Sequence, residues 1–264
     1  IICFNGEVYN YAEIRAELES RSLTPDGGWR GHSDTEVLLQ AFAVWGLGDT
    51  LKRAVGMFAF ALWVRKERQL HLVRDRFGEK PLYYGWAGQE LVFGSELKAL
   101  RCHPDFDAAI DRRALGAFAS RTYIPAPLSI YRGIFKLEPG TLLTISRDAL
   151  ASPLAEPPAE ALHGAVRLSR YWSYREVIRQ GLDDPISDEA EAIGALEQQL
   201  SEAIRAQSLA DVPVGAFLSG GIDSSTIVSL YQKHSSRPLH TYSIGFDEAG
   251  FDEAHHARAV AAHL

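Results

Sequence analysis

A glycine loop in the last third of the chain, SGGIDSS at residues 219–225, limits the possible folds more than any other segment. An apolar run of strand type at 212–218 precedes it, and residues 225–234 follow with helical spacing. A second strand at 239–244 and a helix at 253–264 come next. Strand, loop, helix, strand and helix in this order predict the start of a parallel α/β sheet.

The composition of this loop favours binding of an anion. Gly220 and Gly221 permit a sharp turn that exposes consecutive N–H groups, and the following helix adds its positive end. The loop lacks the lysine of the nucleotide-hydrolase phosphate loop, and it is not the G-x-G-x-x-G of dinucleotide sites. We interpret it as a pyrophosphate cradle with hydroxyl donors from Ser219, Ser224 and Ser225. A helix cap with a glycine turn is the simpler alternative.

The chain contains two asparagines, and both lie in its first ten residues, at Asn5 and Asn10. Asn5 followed by Gly6 offers a side-chain amide and a backbone N–H side by side, the donors that an acyl-transfer oxyanion requires. Glu7 and Asp34 would together hold a substrate ammonium group. From these residues alone, a type I′ turn at Asn-Gly is the favoured alternative.

Residues 1–150 predict an α+β domain of covered sheets and helices. Ser33 is a good N-cap for a helix that Gly46 would end. The other predicted elements are a strand at 1–4, a helix at 11–21 and two hairpins, at 57–64 with 70–73 and at 81–85 with 90–93. Residues 151–187 contain four prolines and no clean period, which predicts a linker.

Composition excludes several classes of protein. Apolar residues make up 46% and charged residues 23%, as in soluble globular chains, and a net charge of −7 argues against a nucleic-acid partner. The longest uncharged stretch, 37–48, is far shorter than the roughly 20 residues of a membrane span, so no membrane partner is expected. Two cysteines favour a reducing compartment, the cytoplasm.

Five motifs, in order and with matching spacing, resemble glutamine-dependent asparagine synthetase. They are FNGEVYN at 4–10, SDTEV at 33–37, GMFAFALW at 56–63, RDRFGEKPLYY at 74–84, and the SGGIDSS loop. The resemblance implies a glutaminase of the N-terminal-nucleophile type, an αββα sandwich at 1–150, which releases ammonia from glutamine. Ammonia would pass through a tunnel to an ATP-pyrophosphatase domain beginning at 188–264, which uses ATP and Mg²⁺ to adenylate aspartate and form asparagine.

The resemblance also implies roles for individual residues. Asn5 and Gly6 match the oxyanion and glutamine contacts, and Glu7 and Asp34 match residues that bind the glutamine amino group. The implied ATP contacts are Ser219, Gly220, Gly221, Asp223 and Ser224 in the loop, with Phe217 before it and Ile244 after the next strand.

Some family features fall outside these residues. The family's nucleophile is an N-terminal cysteine whose own amine is the base. We expect it upstream of Ile1, because the chain opens inside an apolar run like a fragment, and we expect this chain alone to be inactive. Cys3 is predicted to be a packed core residue, and Cys102 and His103 to be loop neighbours without a joint role. No metal ligands are predicted.

Two other functions stay open at this point. One is a same-family amidotransferase that acts on another carboxylate, such as a uronic acid of a surface polysaccharide. The other is a catalytically silent relative that binds glutamine or ATP. The acceptor pocket, which would separate these functions, is expected beyond Leu264. A homodimer is compatible with the sequence, which carries no direct sign of one.

Overall fold

The computed structural model describes residues 1–161, 163–210, 212–248 and 252–264. The chain divides into two compact units, Ile1–Gly181 and Leu182–Leu264, which we describe separately. None of the helices in the described residues combines the length and hydropathy that a bilayer crossing requires.

The first unit contains a five-stranded antiparallel sheet. Its strands in spatial order are β1 (Ile2–Val8), β2 (Gly56–Val64), β3 (Gln69–Arg74), β7 (Thr141–Ser146) and β8 (Val166–Arg170). Strand β2 is apolar on both faces because each face contacts a separate core. Phe58, Phe60 and Leu62 lie in the first core, whereas Ala59 and Ala61 lie in the second.

A second antiparallel sheet of three strands covers the face of β2 that carries the alanines. It consists of β5 (Glu90–Gly94), β4 (Tyr83–Ala87) and β6 (Ile134–Lys136) in spatial order, and Tyr84 and Phe135 pack into the second core. Helices α1 (Tyr11–Ser20) and α2 (Asp34–Arg53) pack on the opposite face through Leu18 and Leu38. The short α3 (Leu97–Leu100) and α4 (Arg112–Arg121) also belong to this unit. The predicted αββα class is confirmed.

Both predicted hairpins form, as β2 with β3 and β4 with β5. Ser33 caps α2 by accepting a hydrogen bond from the Thr35 N–H at 3.2 Å, as predicted. Gly46 has non-helical backbone angles, φ +78° and ψ 167°, so the first helical segment ends there as predicted, and a second segment follows to Arg53.

The segment predicted as a linker, 151–187, contains regular structure. Strand β8 extends the five-stranded sheet by pairing with β7, and α5 (Tyr174–Asp183) follows. The boundary between the compact units falls inside α5, after Gly181.

The second unit begins the parallel arrangement expected from the sequence. Its elements are α6 (Glu189–Gln207), β9 (Gly215–Phe217), α7 (Ile222–His234), β10 (His240–Tyr242) and α8 (Ala254–His263). Strands β9 and β10 pair in parallel. Leu218, Val228 of α7 and Ala257 of α8 form a small core. The strand predicted at 212–218 is shorter than expected, starting at Gly215.

Candidate functional site

Asn5 and Gly6 lie inside β1 rather than at a turn, so the favoured type I′ turn was wrong. In the register of β1 with β2, Asn5 faces Ala59 and Gly6 faces Phe58. Asn-Gly forms a hairpin turn only when the flanking residues pair with each other, and here they pair with β2 instead. The turn comes later, at Tyr9 and Asn10.

Gly6 is required by the close approach of two strands. Its φ is +144°, and a Cβ at this position would lie 2.1 Å from the Met57 carbonyl oxygen and 2.6 Å from the Phe58 Cα. No side chain fits there. Gly6 therefore packs directly against the backbone of β2, with no side chain between the two strands.

The Gly6 N–H points toward the open edge of β1. In an antiparallel ladder, alternate residues direct their N–H groups to opposite sides. Tyr9 donates to the Val55 carbonyl across the ladder, whereas Val8 donates outward, to Asp34. Gly6, two residues before Val8, has the outward direction, and so its N–H is available to a ligand.

The side chains of Asn5 and Glu7 lie together on the exposed face of β1, because strand residues two apart share a face. The Asn5 Nδ2 donates to the Ser95 Oγ at 2.9 Å, which fixes the amide and leaves one of its two hydrogens for a ligand. Ser95 follows β5 and is distant in the chain, so sequence reasoning missed its contact with Asn5.

Asp34 forms a hydrogen bond with the last residue of β1. Its Oδ2 accepts the Val8 N–H at 2.9 Å, which brings the first turn of α2 next to Glu7. The fold thus places Asn5, Gly6 and Glu7 along the second half of β1, with Asp34 bonded to its last residue.

The electrostatic environment at this end of β1 is negative. Burial raises the pKa of Tyr9 to about 12, and Glu79, Glu7 and Asp75 add to the rise. Burial also raises the pKa of Glu79, with a further contribution from Asp75. This environment suits a cationic group such as an α-ammonium.

The cysteines have different surroundings from those predicted. Cys3 is exposed on the same face as Asn5, so its assignment to the packed core was wrong. It is paired in register with the small Ala61, and in the described residues β1 is an edge strand of its sheet. Cys102 is exposed, and the His103 ring contacts the Glu90 carboxylate at 2.9 Å, not the thiol.

In the second unit, the glycine loop joins β9 to α7. Gly220 has a φ of +84°, and Gly221 is the N-cap residue of α7. Serine hydroxyls brace the loop: the Oγ atoms of Ser219 and Ser224 are 3.0 Å apart, and Ser219 Oγ accepts the Gly221 N–H at 3.4 Å.

Several amides of this loop remain available to a ligand. Within the described residues, the N–H groups of Gly220, Ile222, Asp223 and Ser224 make no hydrogen bond. They precede or open the first turn of α7, where the positive end of the helix adds to their attraction for an anion. This arrangement of donors suits an anion such as pyrophosphate.

Two apolar side chains flank the loop. Phe217, at the end of β9, is 80% exposed, and Ile244, two residues after β10, is 70% exposed. Large apolar groups with such exposure offer surface to a flat apolar ligand. The sequence missed Ser243, whose Oγ donates to the Leu218 carbonyl at 2.6 Å and ties the loop base to the strand end.

The described residues do not fit a protein-held metal ion. In 1–161, 163–210, 212–248 and 252–264, no three His, Cys, Asp or Glu side chains converge as ligands. The SGGIDSS loop contributes a single carboxylate, that of Asp223, which is exposed.

Comparison with known proteins gives matches along nearly the whole chain. A family model described as a glutamine amidotransferase domain matches residues 1–154, and one described as asparagine synthase matches residues 195–264. Asparagine synthetase [glutamine-hydrolyzing] 3 of Bacillus subtilis is 36% identical over 94% of this chain and 37% of its own length. Asparagine synthetase [glutamine-hydrolyzing] 1 of the same organism is 34% identical over 100% of this chain and 37% of its length. Putative asparagine synthetase 2 of Methanocaldococcus jannaschii is 35% identical over 98% and 45%. The chain thus spans less than half the length of these relatives.

Proposed function

The chain belongs to the glutamine-dependent asparagine synthetase family, and we propose that it carries the glutamine site and the pyrophosphate loop of an enzyme that makes asparagine from aspartate. The family matches support a glutamine amidotransferase domain at 1–150 and the start of a synthetase domain at 188–264. The observation that carries the proposal is that both sets of backbone donors, at Gly6 and in the glycine loop, are unpaired within the described residues.

At the first site, glutamine hydrolysis needs donors for the oxyanion of the tetrahedral intermediate. The Gly6 N–H and the Asn5 Nδ2 are suited to this role, since the strand pairing and Ser95 hold them in place before substrate arrives. Glu7 and Asp34 would bind the α-ammonium of glutamine, which the negative surroundings of Tyr9 also favour. The nucleophile implied by the family resemblance, an N-terminal cysteine, is neither Cys3 nor Cys102.

At the second site, the loop amides would hold the β- and γ-phosphates of ATP while the acceptor carboxylate attacks the α-phosphorus. The attack forms an acyl-adenylate and releases pyrophosphate, whose developing charge the amides and the α7 N-terminus stabilise. Ammonia then attacks the acyl carbon and displaces AMP. Phe217 and Ile244 would contact the flat face of the nucleotide's base.

Use of ATP follows from the family, whereas Mg²⁺ remains a proposal of ours. When bound, it would neutralise charge on the triphosphate, with Asp223 as the one acidic group of the loop. Because the described residues hold no ligand cluster for it, no step above depends on the ion. We also propose a cytoplasmic location, which is supported by two exposed thiols without a disulfide.

The test uses the full-length gene product with ATP and either glutamine or ammonium. Pyrophosphate release and the amide product are measured with aspartate and, separately, with galacturonate. We expect asparagine with both nitrogen sources. Amide formed from galacturonate alone would show the other acceptor class. Binding of ATP or glutamine without turnover of either acceptor would contradict the proposed activity.

A further inference from the structure

Asp75 is a carboxylate with no access to solvent. It lies directly after β3, in the RDRFGEKPLYY motif, and is 0% exposed. Buried carboxylates need several donors to offset their lost hydration. Asp75 has four, all backbone N–H groups at 3.0–3.2 Å: those of Phe77 and Glu79 on Oδ1, and those of Phe58 and Lys80 on Oδ2.

Asp75 fixes both polar groups of one residue on β2. Its own N–H donates to the Phe58 carbonyl at 2.8 Å, and its Oδ2 accepts the Phe58 N–H at 3.2 Å. The ladder between β2 and β3 stops at this point, since the last register pair is Ala59 with Arg74. The carboxylate thus replaces the main-chain acceptor that a longer β3 would have supplied.

Phe58 is also the residue whose backbone packs against Gly6. The two are register partners, and a Cβ at Gly6 would lie 2.6 Å from the Phe58 Cα. A displacement of Phe58 is therefore passed to Gly6 through direct backbone contact, with no flexible side chain between the strands.

We propose that Asp75 is a positioning residue for glutamine hydrolysis, holding the Gly6 N–H at the place where the oxyanion forms. The inference rests on the proposed function and adds a residue that touches no substrate. Misplacing a catalytic donor by about 1 Å can cost on the order of 10²-fold in rate. An asparagine at position 75 supplies one accepting oxygen in place of two, so two of the four N–H groups lose their acceptor.

The experiment compares Asp75→Asn with Asp111→Asn in the full-length protein. Asp111 is a matched control, because it also accepts a backbone N–H, that of Arg113 at 2.8 Å, but at the start of α4. For Asp75→Asn we expect kcat with glutamine to fall by about tenfold or more, a larger effect than that on KM. Activity with ammonium should stay within about twofold, since it bypasses the glutamine site. The control should keep both activities.

An equal loss with glutamine and ammonium would show a general structural role and overturn the proposal, as would an unchanged kcat with glutamine. If Asp75→Asn is insoluble, Gly78→Ala serves as the second variant. Its added Cβ would lie 2.8 Å from the Pro139 Cγ and 2.9 Å from the Arg74 Cζ, which shifts the loop without removing an acceptor. If Gly78→Ala lowers the activity with glutamine but not the activity with ammonium, the proposal is supported. An unchanged ratio of the two activities overturns it. A wild-type protein inactive with glutamine would instead contradict the proposed function itself.

Discussion

Substitutions at the two glycines of the pyrophosphate loop should affect different properties of the protein. Gly220 has a φ of +84°, and its Cβ would lie 2.5 Å from the His256 Cβ and 2.9 Å from the Ala257 nitrogen. Gly221 has a φ of −71°, which any residue adopts, and its Cβ would meet the Ser219 Oγ at 3.4 Å, an ordinary contact. We therefore expect Gly220 to matter for folding and Gly221 for the ligand.

The cost of Gly220→Ala follows from two terms. A left-handed conformation costs a non-glycine residue about 1–2 kcal/mol. Forcing a methyl group against the α8 backbone adds about 1–3 kcal/mol. We expect the free energy of unfolding of the second unit to fall by about 2–5 kcal/mol, enough to lower the melting temperature visibly.

Gly221→Val should leave folding nearly intact. Its side chain would project into the space over the loop and exclude the phosphates, so we expect pyrophosphate release to fall by about 10²-fold or more. Thermal melts and a pyrophosphate-release assay with ammonium, on both variants of the full-length protein, separate the two effects.

A wild-type melting temperature for Gly220→Ala would refute the close approach of α8 to the loop. Normal turnover by Gly221→Val, at unchanged stability, would remove the loop from the ATP site. Loss of stability in Gly221→Val would instead show that the loop is a structural cap.

Three further predictions concern the first unit. Gly6→Ala should reduce glutamine-dependent synthesis by about 10²-fold while ammonium-dependent synthesis persists; equal losses in the two assays would contradict its role as an oxyanion donor. Asp34→Ala should raise the KM for glutamine about tenfold or more with ammonium kinetics unchanged, and an unaltered KM would exclude it from glutamine binding. Burial lowers the pKa of His71, so its neutral form stabilises the fold above about pH 6.5 and this contribution is lost as pH falls through the folded-state pKa. His71→Gln, which can still bond Thr144, should lose less stability between pH 7.5 and 5.5 in urea melts than wild type; an equal loss would assign the acid sensitivity to other groups.

Sequence reasoning succeeded where local chemistry decides the structure. The β2–β3 and β4–β5 hairpins follow from short polar turns between apolar runs, and the Ser33 cap from its own hydroxyl. The order of the motifs, rather than any single residue, predicted a glutamine site at Asn5, Gly6, Glu7 and Asp34, and the fold places these residues near one another.

The errors arose where distant pairing overrides a local signal. Asn5-Gly6 has the composition of a turn, but the ladder with β2 keeps it extended. Cys3 was assigned to the core because its neighbours are apolar, yet alternation along β1 places it on the open face with Asn5. Strand β8 escaped notice because its alternation is short and flanked by irregular segments, and only pairing with β7 defines it.

The same physical device operates at both candidate sites. Gly6 and Gly220 each allow one backbone to lie against another at a distance that no Cβ tolerates, and the N–H groups of both glycines are unpaired in the described residues. A backbone donor held in this way is fixed by the chain itself, so it has no rotamer to lose when a ligand binds. This means that substitutions of the supporting backbone contacts, including those made by Asp75, should affect rate more than affinity.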